Sequence, residues 1–234
     1  MTADEARRGY VRAVAEIAGE ASGTASGVRL WAVSITDVRS LFRPTEDMAG
    51  RLRSDVPFHV LSPYKPGWFK PLLKADPGAP VLAPDSPLPS DVDKLLHGHF
   101  VPPDRLVPSW QIVCHWLDRL SAANLRLDID KATAERLDFD LARAGVASHF
   151  GLRTLWAREA ALPLRPPAGS EVGYQRFAVA VELGEAWRAS LGALEGSSDL
   201  VEHVTDWLRQ LPTWAEDAEG AGRPAPDVFA MTLP

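Results

Sequence analysis

Apolar and polar positions alternate most cleanly in VRLWAVSI, where Val28, Leu30, Ala32 and Ser34 face one way and Arg29, Trp31, Val33 and Ile35 the other. That period of two predicts a strand over 28–35. Ser34 or Thr36 can cap the short helix DVRSLFRP that follows, which Pro44 stops. Near the other end, DVFAMTL (227–233) predicts a terminal strand whose partner is the strand at 28–35. Between them the apolar period lengthens to three and four, the mark of helices. EDMAGRLRS predicts a second short helix, with a strand near 58–61 after it. Ser90 and Asp93 have the spacing of a capping box opening DVDKLLHG. Pro108 sits in the first turn of a helix reaching Leu120, whose buried stripe reads Trp110, Val113, Cys114, Leu117 and Leu120, with Gln111, His115 and Asp118 opposite. Asp130 as N-cap and Gly145 as the C-terminal glycine bound a helix on Ala134, Leu137, Leu141 and Ala144. Ser148 leads a short helix, residues 161–173 form a turn-rich crossover, and 175–192 and 200–211 give two more amphipathic helices, the latter capped by Asp199. The acidic stretch 214–226 reads as a connection.

Six or more helices against two or three strands predict an α+β fold, mainly helical, with a small sheet that brings 28–35 and 227–233 together. Residues 4–20 predict a thin, alanine-rich helix, so 1–27 reads as an N-terminal helical arm and 28–234 as a single domain. Eight prolines between 62 and 90 forbid a long helix or central strand there and mark a proline-rich connection.

Composition narrows the function classes. With 25 basic against 31 acidic residues the 234-residue chain carries a net charge of −6, which argues against a nucleic-acid partner. The opening residues lack the apolar core of a signal peptide, and no apolar run approaches the roughly 20 residues of a membrane span. Cys114 is the one cysteine, so no intrachain disulfide forms. The expected location is cytoplasmic, with no membrane contact.

Candidate chemistry is sparse. His97 and His99 precede Cys114 and His115, but Cys114 belongs to the apolar stripe while His115 points away from it, so they do not converge on one ion. No metal and no cofactor is expected. Cys114 reads as a packed thiol, and Asp128, Asp130, Asp138 and Asp140 as surface and capping carboxylates. The glycine runs follow no strand and carry no lysine, so no phosphate loop is present. Eight tryptophans are many for this length, and Trp68, in the loop YKPGWFKPLL with Tyr64 and Phe69, is the candidate for exposure.

The segments LWAVSITDVRSLF (30–42), IVCHWL (112–117), LDFDLARAGV (137–146), LRTLWAREAALPLRPP (152–167), EVGY (171–174) and VTDWLRQ…DVFAMTL (204–233) resemble, in this order, an uncharacterised family of actinobacterial proteins, a domain of unknown function. The stretch 62–110 has no counterpart in that pattern. The resemblance implies no activity and places no catalytic residue. The opening strand and helix are also similar to a second uncharacterised small bacterial α+β family, which implies fold alone.

Two expectations result. The first is a non-catalytic protein-binding or regulatory domain with a protein partner at Tyr64, Trp68 and Phe69. The second is a small-molecule enzyme or ligand binder with a site near 97–105, using His97, His99 and Asp104 or Arg105; His115 is a further binding candidate.

Overall fold

The computed structural model of the chain describes residues 27–56, 86–194 and 198–233. The helix expected at 4–20, the strand near 58–61 and the loop carrying Tyr64, Trp68 and Phe69 lie outside them. The chain divides into two compact units, one comprising 1–23 and 43–116, the other 24–42 and 117–234. None of the three boundaries, 23/24, 42/43 and 116/117, falls in the proline-rich stretch.

The described helices are α1 (Ile35–Ser40), α2 (Glu46–Asp55), α3 (Pro89–Leu96), α4 (Leu106–Leu120), α5 (Lys131–Arg143), α6 (Phe177–Ser190), α7 (Ser198–Leu208) and α8 (Leu211–Gly220). The strands are β1 (Gly27–Val33), β2 (Asn124–Leu127), β3 (Arg158–Glu159), β4 (Val172–Gln175) and β5 (Asp227–Leu233). This is the expected α+β architecture, mainly helical with one small sheet.

All five strands belong to the second unit, in the order β2-β1-β5-β4-β3 with every neighbour antiparallel. β1 and β5 pair over their full length, from Gly27 opposite Leu233 to Val33 opposite Asp227, so the expected pairing of the chain's two best strands forms the centre of the sheet. The alternation in β1 explains why. Val28, Leu30 and Ala32 join Leu125, Leu127, Val228 and Ala230 in a core completed by Leu137 and Leu141 of α5, Leu183 and Trp187 of α6, and Val201, Val204 and Leu208 of α7. Each such aliphatic side chain contributes about 1.5–3 kcal/mol on leaving water.

On the other sheet face Trp31 lies against Phe229, ring centroids 6.0 Å apart. Its Nε1 donates to Asp118 Oδ1 at 2.7 Å, and Arg29 Nη2 donates to both oxygens of the same carboxylate at 3.1 and 3.0 Å. Ser34 is the N-cap of α1, its Oγ accepting from Thr36 N at 3.2 Å. The Asp227 carboxylate then ties two helix starts to the sheet, accepting from Ile35 N at 3.0 Å and from Phe177 N at 3.1 Å.

Three strands, β2, β3 and β4, and two helical segments of this unit depart from the expected pattern. β2 and β4 are four residues each, too short for alternation to register, and β4 contains Gly173. A Cβ on Gly173 would stand 2.0 Å from the Trp156 carbonyl oxygen, so only glycine lets the strand pass that backbone. The acidic stretch expected to be a connection is largely α8, opened by Pro212 in its first turn. The helix expected after Ser148 is instead two short 3-10 segments, Ser148–Phe150 and Leu152–Trp156.

In the first unit Thr45 caps α2, its Oγ1 accepting from Met48 N at 3.4 Å. The cap of α3 falls two residues earlier than the expected Ser90 and Asp93. Pro89 occupies the first helical position, the buried Asp91 accepts from Leu88 N at 2.9 Å, and Asp91 N returns to Leu88 O at 2.9 Å. Proline's fixed φ starts the helix at 89, so Ser90 is already inside it. On α4, Trp110, Val113, Cys114 and Leu117 are buried as expected; Leu120 is half-buried, and Ile112 and Trp116 are buried as well. Trp116 satisfies its Nε1 on the Leu52 carbonyl at 3.1 Å.

Candidate functional site

The predicted site residues of the described chain distribute around the two ends of α3 and along α4. At its C-terminus α3 ends on His97 as its cap, and the chain leaves the helix where Gly98 turns to φ +61°. Gly98 N then donates to Leu95 O at 3.0 Å and His99 N to Lys94 O at 2.8 Å, the paired hydrogen bonds of a Schellman stop. Arg43 N donates to Leu96 O at 3.1 Å, and the Arg43 side chain lies where a Cβ on Gly98 would point, 3.1 Å from its Nε. The turn His97–Phe100 is therefore a fixed ledge.

On this ledge His97 Nδ1 meets the Asp93 carbonyl oxygen at 2.7 Å. A carbonyl only accepts, so the proton sits on Nδ1 and Nε2 carries the lone pair whenever the ring is neutral. The His97 and His99 rings stack, centroids 5.4 Å apart and planes at 22°. Asp93 accepts from Arg53 Nε of α2 at 3.3 Å. Phe100 follows, 73% exposed, while its neighbour Val101 is buried.

Arg105 is placed elsewhere. Its guanidinium pairs with the Asp91 carboxylate at the opposite end of α3, Nε at 3.2 Å, and its Nη2 also donates to Ser86 O at 2.8 Å. Side-chain exposures of 13% and 1% make this a buried ion pair that holds the start of α3. Asp104 is exposed beside it, in a 3-10 turn at Pro103–Arg105. His115 is half-buried, its Nε2 donating to Asp55 O at 2.9 Å in the last turn of α2. The structure thus brings His97 and His99 together and sets Arg105 and His115 in separate structural roles. Cys114 is buried.

The carboxylates of the second unit are also accounted for. Asp130 caps α5, accepting from Thr133 N at 2.7 Å, and hydrogen bonds from the Thr133 side chain and backbone hold it below the usual carboxylate range. Asp128 pairs with Arg126 Nε at 2.9 Å. Asp138 is half-buried, and burial pushes its carboxyl above the usual range despite the hydrogen bond from Leu152 N at 2.5 Å. Asp37 is raised for the same reason, with the Arg223 charge acting in opposition.

Among the described residues no three or more His, Cys, Asp or Glu side chains gather as a metal cage, and no helix is long and apolar enough to cross a membrane. A shallow open depression of ≈ 190 Å³ lies on the second unit, between Val181, Gly184, Glu185 and Arg188 of α6 and Leu208, Arg209 and Pro212.

Phe100 is the ledge residue that the apolar pattern passed over. Its signal is an aromatic placed directly after a glycine-terminated helix with no partner at helical or strand spacing. Comparison with protein-family models, with curated proteins and with solved structures finds no match to this chain.

Proposed function

We propose that this chain is a cytoplasmic, non-catalytic protein-binding or regulatory domain whose partner is received on the ledge formed by His97, His99 and Phe100. The observation that carries the reading is Phe100, 73% exposed on a turn whose backbone is closed by a Schellman stop and by Arg43. An exposed aromatic ring beside a hydrogen-bonded turn costs little backbone ordering on binding, and such rings dominate interface energies. The exposed imidazoles of His97 and His99 give Phe100 a polar rim. Tyr64, Trp68 and Phe69 extend the proposal as a second contact segment. Kinship with the actinobacterial family rests on the sequence segments quoted above and is part of the same proposal.

The test is capture from a lysate of the native host with the immobilised chain and its Phe100→Ala and His99→Ala variants. A protein retained in stoichiometric amount by the native chain and lost with Phe100→Ala, at unchanged melting temperature, supports the reading. Equal retention by all three chains overturns the assignment of the ledge.

A further inference from the structure

We infer that the outer edge of β2 is a self-association surface, where a second copy of this chain adds its own β2 antiparallel and joins two sheets into one. β2 ends the sheet and pairs on one side only, with β1. Ala32 N donates to Ala123 O and Ala122 N to Ala32 O, both at 2.9 Å, which fixes the phase of that ladder. Successive residues of a strand turn their backbone groups to opposite edges. Leu125 and Leu127 therefore bond to β1, while the N–H and C=O of Asn124 and Arg126 point outward. Among the described residues these outward groups, and those of Asp128, meet no hydrogen-bond partner. The usable edge is longer than the four paired residues. Leu125, Leu127 and Ile129 are buried, Asn124, Arg126 and Asp128 exposed, and Asp130 is still extended at φ −85° and ψ 172°. No proline or lysine, the common guards of an open edge, stands between 121 and 130.

Charge selects both the occupant and the register. Arg126 and Asp128 lie on the same face, Nε and Oδ1 2.9 Å apart. In a two-fold antiparallel pairing, the residue on the axis sets the register. An axis at Arg126 or at Asp128 places that charge opposite itself, which destabilises a strand pair. An axis at Leu125 leaves both charges without a counterpart. An axis at Leu127 sets Arg126 opposite Asp128 of the second copy at both ends, with Leu125 opposite Ile129 along the core face. Because Arg126 and Asp128 turn their backbone groups outward, this register also makes them hydrogen-bonded pairs. The edge is thus complementary to itself. A strand pair this short buries less than a standard interface, so the dimer is reversible and concentration-dependent. The surface lies in the second unit and shares no residue with the ledge, so it stands or falls apart from the proposed function.

The test is sedimentation of the tag-free chain at low salt, from about 10 µM to about 1 mM. The result expected is a mass that rises with concentration from 25.5 kDa toward that of a dimer. Slowed exchange of the Asn124, Arg126 and Asp128 amides in the dimer locates the contact. Arg126→Asp and Asp128→Arg each set like charges opposite one another and should weaken the dimer by about tenfold or more. An equimolar mixture of the two variants should restore it, because each supplies the charge that the other lacks at both ends. Both substitutions fall at exposed positions, and circular dichroism checks that the variants fold. A chain that stays monomeric throughout, a dimer that both variants retain, or a mixture no stronger than either variant alone would overturn the inference.

Discussion

The pairing of Asp91 with Arg105 decides whether Arg105 belongs to the scaffold or to a ligand site, and a double-mutant cycle measures it. Asp91→Ala removes the acceptor for Leu88 N, a helix cap worth about 1 kcal/mol. It also leaves the Arg105 charge, whose side chain is 13% exposed, without its carboxylate, and breaking a buried pair in this way costs about 3–5 kcal/mol. The expected loss for Asp91→Ala is therefore about 4 kcal/mol, moderated by the bond from Arg105 to Ser86 O, which survives. Arg105→Met strands the carboxylate instead, but Leu88 N still serves it, so its loss is smaller. Asp91→Ala with Arg105→Met removes both charges together, and the pair should lose less than the sum of the singles by about 2 kcal/mol. Urea unfolding supplies the free energies, and hydrogen exchange of the α3 amides reports on the first unit directly. A coupling below about 0.5 kcal/mol would refute the reasoning and return Arg105 to the candidates for ligand binding.

Other consequences are simpler to check. Gly173→Ala drives a Cβ against the Trp156 carbonyl at 2.0 Å, so the strand must shift; a loss of about 3 kcal/mol or more is expected, and a melting temperature within a degree of native would contradict the packing. For Asp138 the folded pKa lies above the unfolded one, so the folded state binds the extra proton and stability rises as pH falls through the raised value toward about 3.9. Asp138→Asn keeps an oxygen for Leu152 N and removes the buried charge. It should be as stable as native or more so at pH 7, with a smaller gain on acidification; urea midpoints at pH 7 and 5 that show a clear loss with an unchanged pH slope would count against burial as the cause.

How much of this could be read in the residues depends on how far each element's causes are local. β1 and β5 were legible because alternation over seven residues and a Ser34 cap are local signals, and α5 because Asp130 and Gly145 mark both ends. β2 and β4 were not, since a four-residue strand is defined by its neighbours' hydrogen bonds and by the close passage that Gly173 allows. α8 escaped because it buries only Leu211 and Ala218, too few positions to mark a stripe. At the candidate site, His97 and His99 were visible as a pair. The commitment of Arg105 to Asp91 was not, because it joins residues fourteen apart through a helix that starts two residues before the Ser90 cap the sequence suggests. Nor was the exposure of Phe100, which depends on the turn that Gly98 and Arg43 build together.

Site-specific photo-crosslinking in the native host tests the ledge as a place of contact most directly. A photoreactive phenylalanine analogue placed at position 100 is compared with the same group at position 139, where the native Phe139 is 63% exposed and lies under the Arg143 guanidinium. One dominant protein adduct from position 100, absent from position 139, is the result predicted. No adduct from position 100, or the same adducts from both positions, would contradict the ledge as the binding surface.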